Sequence, residues 1–188
     1  MKLADLIHPS YIDLELEAAN KVAAITSLAR RLEIDGALTS LEAYVAAVLD
    51  REKLYSTAVG YGVAIPHGKT EAVARPAVAF GRLARGMAWV DPGAGNAATD
   101  DPNELVRMVF LLAVFLLAVP EARAGDAHLR ILARLARLLL DEGFRTGLEA
   151  ARTPAEVLEA LERVDATADH AVPGAGDIAA SGEEEEEE

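Results

Sequence analysis

Arg51 to Lys69 reads REKLYSTAVGYGVAIPHGK. A helical register runs into Arg51-Glu52-Lys53-Leu54, and a hydroxyl pair, Ser56 and Thr57, follows. Gly60, Gly62, the apolar triplet Val63-Ala64-Ile65 and then Pro66-His67-Gly68 complete the stretch. This order predicts one histidine at the end of a short strand. Flanking glycines let backbone N–H groups come close to it, and an upstream arginine can fold back over the ring. Such a setting suits a nucleophilic histidine that takes up a phosphoryl group. The imidazole nitrogen attacks, while N–H donors, hydroxyls and a cation stabilise the transferred oxygens.

Upstream, residues 3 to 8 read as a lead-in of one helical turn, and Tyr11 to Leu16 alternates as an edge strand does. From Ala18 to Glu33 the period becomes helical, with Val22, Ile25, Leu28, Ala29 and Leu32 as the apolar stripe and Gly36 as the stop. Thr39 opens the next helix with a capping box completed by Glu42. Leu41, Tyr44, Val45, Val48 and Leu49 then face the core, and the helix delivers Arg51 near its C-terminal end.

Downstream, Gly62 to Ile65 and Ala77 to Leu83 read as strands, and a Gly/Pro/Asn/Asp-rich loop spans Asp91 to Asn103. Val106 to Val119 holds a central strand ending at Pro120. Asp126 caps a helix through Asp141, with Leu129, Leu132, Leu135 and Leu139 on its buried side. Thr153-Pro154-Ala155-Glu156 starts a last helix, with Pro at the first helical position and a second capping box. Short strands interleaved with helices predict a three-layer α/β domain.

The 188 residues suffice for one domain with a substantial core, and a hydrophobic fraction of 52% supports a globular fold. The net charge of -13 is unevenly spread. Residues 165–188 carry nine acidic residues and no Lys or Arg, which leaves 18 basic against 22 acidic residues in 1–164. The first 164 residues are thus only mildly acidic, which argues against a nucleic-acid surface. Beyond Val164 the Ala, Gly, Pro, Asp and Glu composition predicts a disordered acidic tail, so the domain is placed at 1–164 and the tail at 165–188. The absence of cysteine excludes disulfides and cysteine-based phosphotransfer within this sequence. The N-terminus lacks a signal-peptide pattern, and the longest uncharged apolar run, Met108 to Val119, is short of the roughly 20 residues of a membrane helix. A cytoplasmic protein without direct membrane insertion is expected.

The ordered features Arg51-Glu52, Ser56-Thr57, Gly60, Gly62 and Ala64-Ile65-Pro66-His67-Gly68 resemble a known signature. It is that of the enzyme IIA domain of the fructose/mannitol class, from the bacterial phosphoenolpyruvate-dependent sugar phosphotransferase system, and nitrogen-regulatory members share it. The resemblance spans nineteen positions closely and roughly residues 1 to 160 more weakly. It implies a mixed sheet of about five strands flanked by helices, and no organic cofactor or metal. It also implies a phosphocarrier role: His67 accepts phosphate from a histidine-containing phosphocarrier protein and passes it to a IIB component in trans. The alternative is a regulatory switch that binds target proteins. One feature departs from the family pattern: Phe110-Leu-Leu-Ala-Val114 is repeated at once as Phe115-Leu-Leu-Ala-Val119. The second copy, which keeps its distance to Pro120 and His128, is expected to fill the family strand, with the first copy as an extension or bulge.

Each candidate also has a plainer reading. His67 by position alone could be an ordinary surface-loop histidine; its glycine-flanked context and the resemblance favour function. Two residues after Asp126, His128 would otherwise be a polar residue of a helix start. The resemblance implies that it hydrogen-bonds the phosphoryl group or orients His67, and a helix N-terminus favours anionic oxygen. Arg51 can cap its helix or offer a forked guanidinium to phosphate. Thr57 is a turn residue or a partner of the phosphate or the histidine. A metal site built from His67, His128 and a carboxylate fits no zinc spacing.

Overall fold

The computed structural model describes residues 2–89, 105–115 and 124–169; for 114–115, 124–130 and 165–169 it describes the backbone alone. The elements in chain order are β1 (Ile12–Leu16), α1 (Lys21–Ile34), α2 (Leu41–Leu54), β2 (Ala58–Gly60), β3 (Val63–Ala64), β4 (His67–Thr70), β5 (Ala77–Met87), β6 (Val106–Phe115), α3 (Ala124–Leu138), α4 (Glu142–Ala150) and α5 (Pro154–Asp169). Short 3-10 turns at Ala4–Leu6 and Pro9–Tyr11 lead in.

The sheet has six strands, in the order β1-β5-β6-β3-β2 with β4 also on β6. It is mixed, as expected, with one strand more than the anticipated five or so. β1 lies parallel to β5, β5 antiparallel to β6, and β3 and β4 both parallel to β6. Alternation along the strands feeds two cores. Ala77, Ala79, Val109, Leu111 and Ala113 pack with Ile25, Leu28, Leu32, Tyr44 and Val48 of α1 and α2. Val78, Phe80, Met108, Phe110 and Leu112 pack on the opposite face with Leu135, Phe144, Leu148, Val157 and Leu161 of α3 to α5. The result is the expected three-layer α/β arrangement.

Four local expectations are corrected. α2 is capped by Ser40, whose side chain accepts from Ala43 N, while Thr39 instead donates its N–H to the Ala72 carbonyl. α3 begins at Ala124, so Asp126 lies inside the helix, and α4, capped by Asp141, was not anticipated. On α1, Val22 is 39% exposed and Lys21 takes the inward position. The fourth concerns the repeat. The first copy is no bulge: Phe110 to Ala113 pair residue for residue with Phe80 to Ala77, and Leu112 and Ala113 also pair with His67 and Gly68. The strand continues unbroken from Met108 and Val109 into Phe110, and both of its faces are apolar, so the first copy fits without any insertion. Of the second copy, residues 116–119 lie outside the described residues. α5 runs to Asp169, past the domain boundary expected after Val164.

Candidate active site

β3 and β4 keep one register on β6, Val63 and Ala64 opposite Met108 and Val109, then His67 opposite Leu112. Between them Ile65 and Pro66 step out of the ladder. Pro66 has no N–H to give, though its carbonyl still accepts from Leu112 N. His67 therefore opens a strand rather than sitting in a loop.

The Ile65 carbonyl turns to the imidazole, 2.8 Å from His67 Nδ1. A carbonyl oxygen only accepts, so Nδ1 carries the proton and Nε2 carries the nucleophilic lone pair of the neutral ring. Partial burial lowers the proton affinity of the imidazole. The bond to Ile65 opposes this, as does the Glu52 charge, whereas the Arg51 and Lys69 charges act with burial.

Gly68 is required by packing. A Cβ there would stand 2.9 Å from the Val48 backbone nitrogen, so only glycine lets β4 lie directly on α2. On the other side β2 folds back on β3 through Tyr61 and Gly62, both at positive φ (56° and 71°), the geometry of a tight hairpin turn.

The predicted residues fall in different places. Arg51 is partly buried in the last turn of α2, and its Nη1 donates to the Tyr55 carbonyl at 3.0 Å. Its charge is felt at His67, so capping and proximity to the histidine occur together. Thr57 is buried, 5% exposed, with its hydroxyl turned to Glu52 Oε2 at 2.6 Å. The backbone of His128 lies in α3, and its side chain falls outside the described residues.

Sequence reasoning passed over two residues. Glu52 is 3% exposed, and its Oε1 accepts from Thr57 N at 3.0 Å. Lys21, also 3% exposed, places Nζ 3.7 Å from that same oxygen. Removing one partner of a buried ion pair strands the other charge, at about 3–5 kcal/mol. A signal existed for both. Lys21 stands four residues before Ile25 on the α1 stripe, and Glu52 continues the Tyr44, Val48 spacing of α2.

The sequence profile described as phosphoenolpyruvate-dependent sugar phosphotransferase system, EIIA 2, matches residues 5–164. The chain belongs to this family. Among EIIA relatives it is 37% identical over 169 residues to a nitrogen regulatory protein of Bradyrhizobium diazoefficiens, covering 89% of this chain and 99% of the relative. It is 36% identical over 153 residues to a fructose-specific EIIA component of Haloferax volcanii, with 81% and 90% coverage. A third relative is the 2-O-alpha-mannosyl-D-glycerate-specific EIIABC component of Escherichia coli, 35% identical over 162 residues; these cover 86% of this chain but 23% of the relative. The chain thus spans nearly all of two relatives and under a quarter of the third. Two solved structures share the fold. One is the nitrogen regulatory protein IIA-Ntr of Neisseria meningitidis, at TM-score 0.69 and 27% identity, covering 84% of this chain and 97% of that one. The other is enzyme IIAMtl of Escherichia coli in complex with phosphorylated enzyme IIBMtl, at TM-score 0.63 and 29% identity, covering 84% and 99%. No helix among the described residues is long and apolar enough to cross a membrane.

Proposed function

We propose that this EIIA protein is a cytoplasmic phosphocarrier with His67 as its phosphohistidine. The observation that carries the reading is the bond from His67 Nδ1 to the Ile65 carbonyl, which favours Nε2 as the attacking nitrogen. Nε2 attacks the phosphorus of the phosphorylated carrier protein as the carrier's own P–N bond breaks. A IIB component then takes the group from His67 by the reverse geometry. This transfer asks the protein for positioning and charge stabilisation rather than for a cofactor. Arg51 supplies the nearby cation. His128 supplies a second imidazole, on the strength of the family resemblance. The IIB partner is favoured by the likeness to an enzyme IIA structure solved with phosphorylated IIB. Residues 1–169 form the transferring domain and 170–188 an appended acidic tail.

The test is incubation with phosphoenolpyruvate, enzyme I and the carrier protein, followed by intact-mass analysis. Wild type gains one phosphate and His67→Ala none; equal labelling of His67→Ala overturns the assignment. His128→Ala stays folded and exchanges phosphate roughly tenfold to a thousandfold more slowly, and wild-type rates in both directions remove His128 from the mechanism.

A regulatory reading stands beside the transport one, because the nitrogen regulatory relative is matched over 99% of its length. In that role the phosphate charge on His67 changes which target protein the surface accepts. Passage of phosphate from the labelled protein to a IIB protein separates the two.

A further inference from the structure

We propose that Glu52, compensated by Lys21, is a positioning residue for the phosphoacceptor, acting through Thr57 and Ile65 to set the orientation and tautomer of His67. The proposal rests on the phosphocarrier reading of His67.

The links form one continuous chain. Lys21 Nζ lies 3.7 Å from Glu52 Oε1. The two Glu52 oxygens accept from the backbone N–H and the hydroxyl of the same residue, Thr57, at 3.0 and 2.6 Å. That double attachment fixes both the backbone and the side-chain torsions of Thr57. The Thr57 carbonyl accepts from Ile65 N at 3.0 Å, and the Ile65 carbonyl accepts from His67 Nδ1 at 2.8 Å.

Ile65 is where this chain matters. Ala64 and His67 pair with β6, and Pro66 keeps one bond to it through its carbonyl, which accepts from Leu112 N, whereas the Ile65 N–H turns to the Thr57 carbonyl. The bond from Ile65 N to Thr57, together with that from Leu112 N to Pro66, therefore sets the tilt of the peptide that presents the Ile65 carbonyl to the imidazole. Thr57 itself precedes β2 and needs an anchor of its own, which Glu52 provides from α2.

Stability alone does not call for a charged anchor. A buried ion pair is often no more stabilising than apolar side chains of the same volume. An ionic pair with side chains 3% and 1% exposed, aimed at one loop residue behind the phosphoacceptor, instead buys precise geometry. An error of about 1 Å in such geometry costs on the order of 10²-fold in rate.

The experiment uses the full chain and compares Thr57→Val, Thr57→Ser and Glu52→Gln with wild type. The ¹⁵N chemical shifts of the His67 ring report its tautomer, with no phosphoryl donor present. Turnover and KM are then measured with the phosphorylated carrier protein as donor. Wild type shows the Nδ1–H pattern. Thr57→Val shows mixed tautomers, with turnover down by about 10- to 10²-fold and KM little changed. Thr57→Ser, which keeps the hydroxyl, retains the Nδ1–H pattern. Glu52→Gln keeps the shape without the charge and falls between Thr57→Val and wild type. The proposal is overturned if Thr57→Val and Thr57→Ser give the same pattern, or if Thr57→Val and Glu52→Gln both match wild type. A shifted tautomer in Thr57→Val beside a wild type that takes no phosphate retires the phosphocarrier reading and leaves the positioning chain standing.

Discussion

The hydroxyl of Tyr44 donates to the carbonyl of Leu112 at 2.7 Å, inside the core, and Leu112 is the sheet partner of His67. Helix α2 is thus bolted to the strand residue beside His67. Burial raises the Tyr44 pKa far above that of an ordinary phenol, so the hydroxyl remains a donor at every accessible pH. Tyr44→Phe leaves the buried carbonyl without this donor, at about 1–3 kcal/mol. Urea unfolding should show that loss with an unchanged slope. A Tyr44→Phe variant as stable as wild type would mean that the bond contributes nothing net.

The second prediction concerns pH. As the proposed nucleophile His67 must be neutral, and its folded pKa is lowered, chiefly by burial. The rate of phosphate uptake should therefore be flat from about pH 6.5 upward and fall only on further acidification, since the ordinary value is about 6.5. Stability follows the same sign. The unfolded histidine binds its proton more readily, so this contribution is fully present above about pH 6.5 and is lost as pH falls towards the folded pKa. His67→Gln should remove that part of the acid-side dependence in thermal melts. A rate that already declines between about pH 8 and 7 would contradict a lowered pKa.

Much of this was legible because it rests on periodicity and turn chemistry. The alternation of Ile12 to Leu16 marked the edge strand, and the spacing of Ile25, Leu28 and Leu32 marked the inward face of α1. Thr153 accepts from Glu156 N as the capping box anticipates, although the return bond from Glu156 goes to Arg152 N. What was hidden depends on tertiary placement. In the sequence Arg51-Glu52-Lys53 is the end of a helical register, and only the packing of α1 against α2 shows that the middle residue is buried and clamps Thr57. The choice between Thr39 and Ser40 as the cap was equally out of reach, because it turns on the long-range bond from Thr39 N to the Ala72 carbonyl.

The third prediction concerns the C-terminal stretch. Because α5 extends to Asp169, the cut belongs after that residue rather than after Val164. Residues 170–188 are poor in large apolar side chains and end in six glutamates. They can offset little of the roughly 1–2 kcal/mol per residue that ordering a backbone costs. A chain ending at Asp169 should keep its melting temperature and its capacity to take up phosphate. A drop of several degrees would show that the tail docks on the domain.

The last prediction concerns the repeat, where deletion is uninformative. Removing Phe110–Val114 or Phe115–Val119 yields the same sequence, so a folded deletion variant says nothing about which copy forms the strand. A point substitution does distinguish them. Leu112 is 1% exposed and paired on both edges, with His67 of β4 and Val78 of β5. Its side chain packs in the core beneath α3 to α5. Leu112→Asp would bury a carboxylate among apolar neighbours, which places it in the range above about 4–5 kcal/mol. That is a large part of the roughly 5–15 kcal/mol available to a domain. Circular dichroism should find Leu112→Asp largely unfolded at ambient temperature. If it melts like wild type, the strand beside His67 is built from the second copy, and the pairing of Leu112 with His67 and Val78 is wrong.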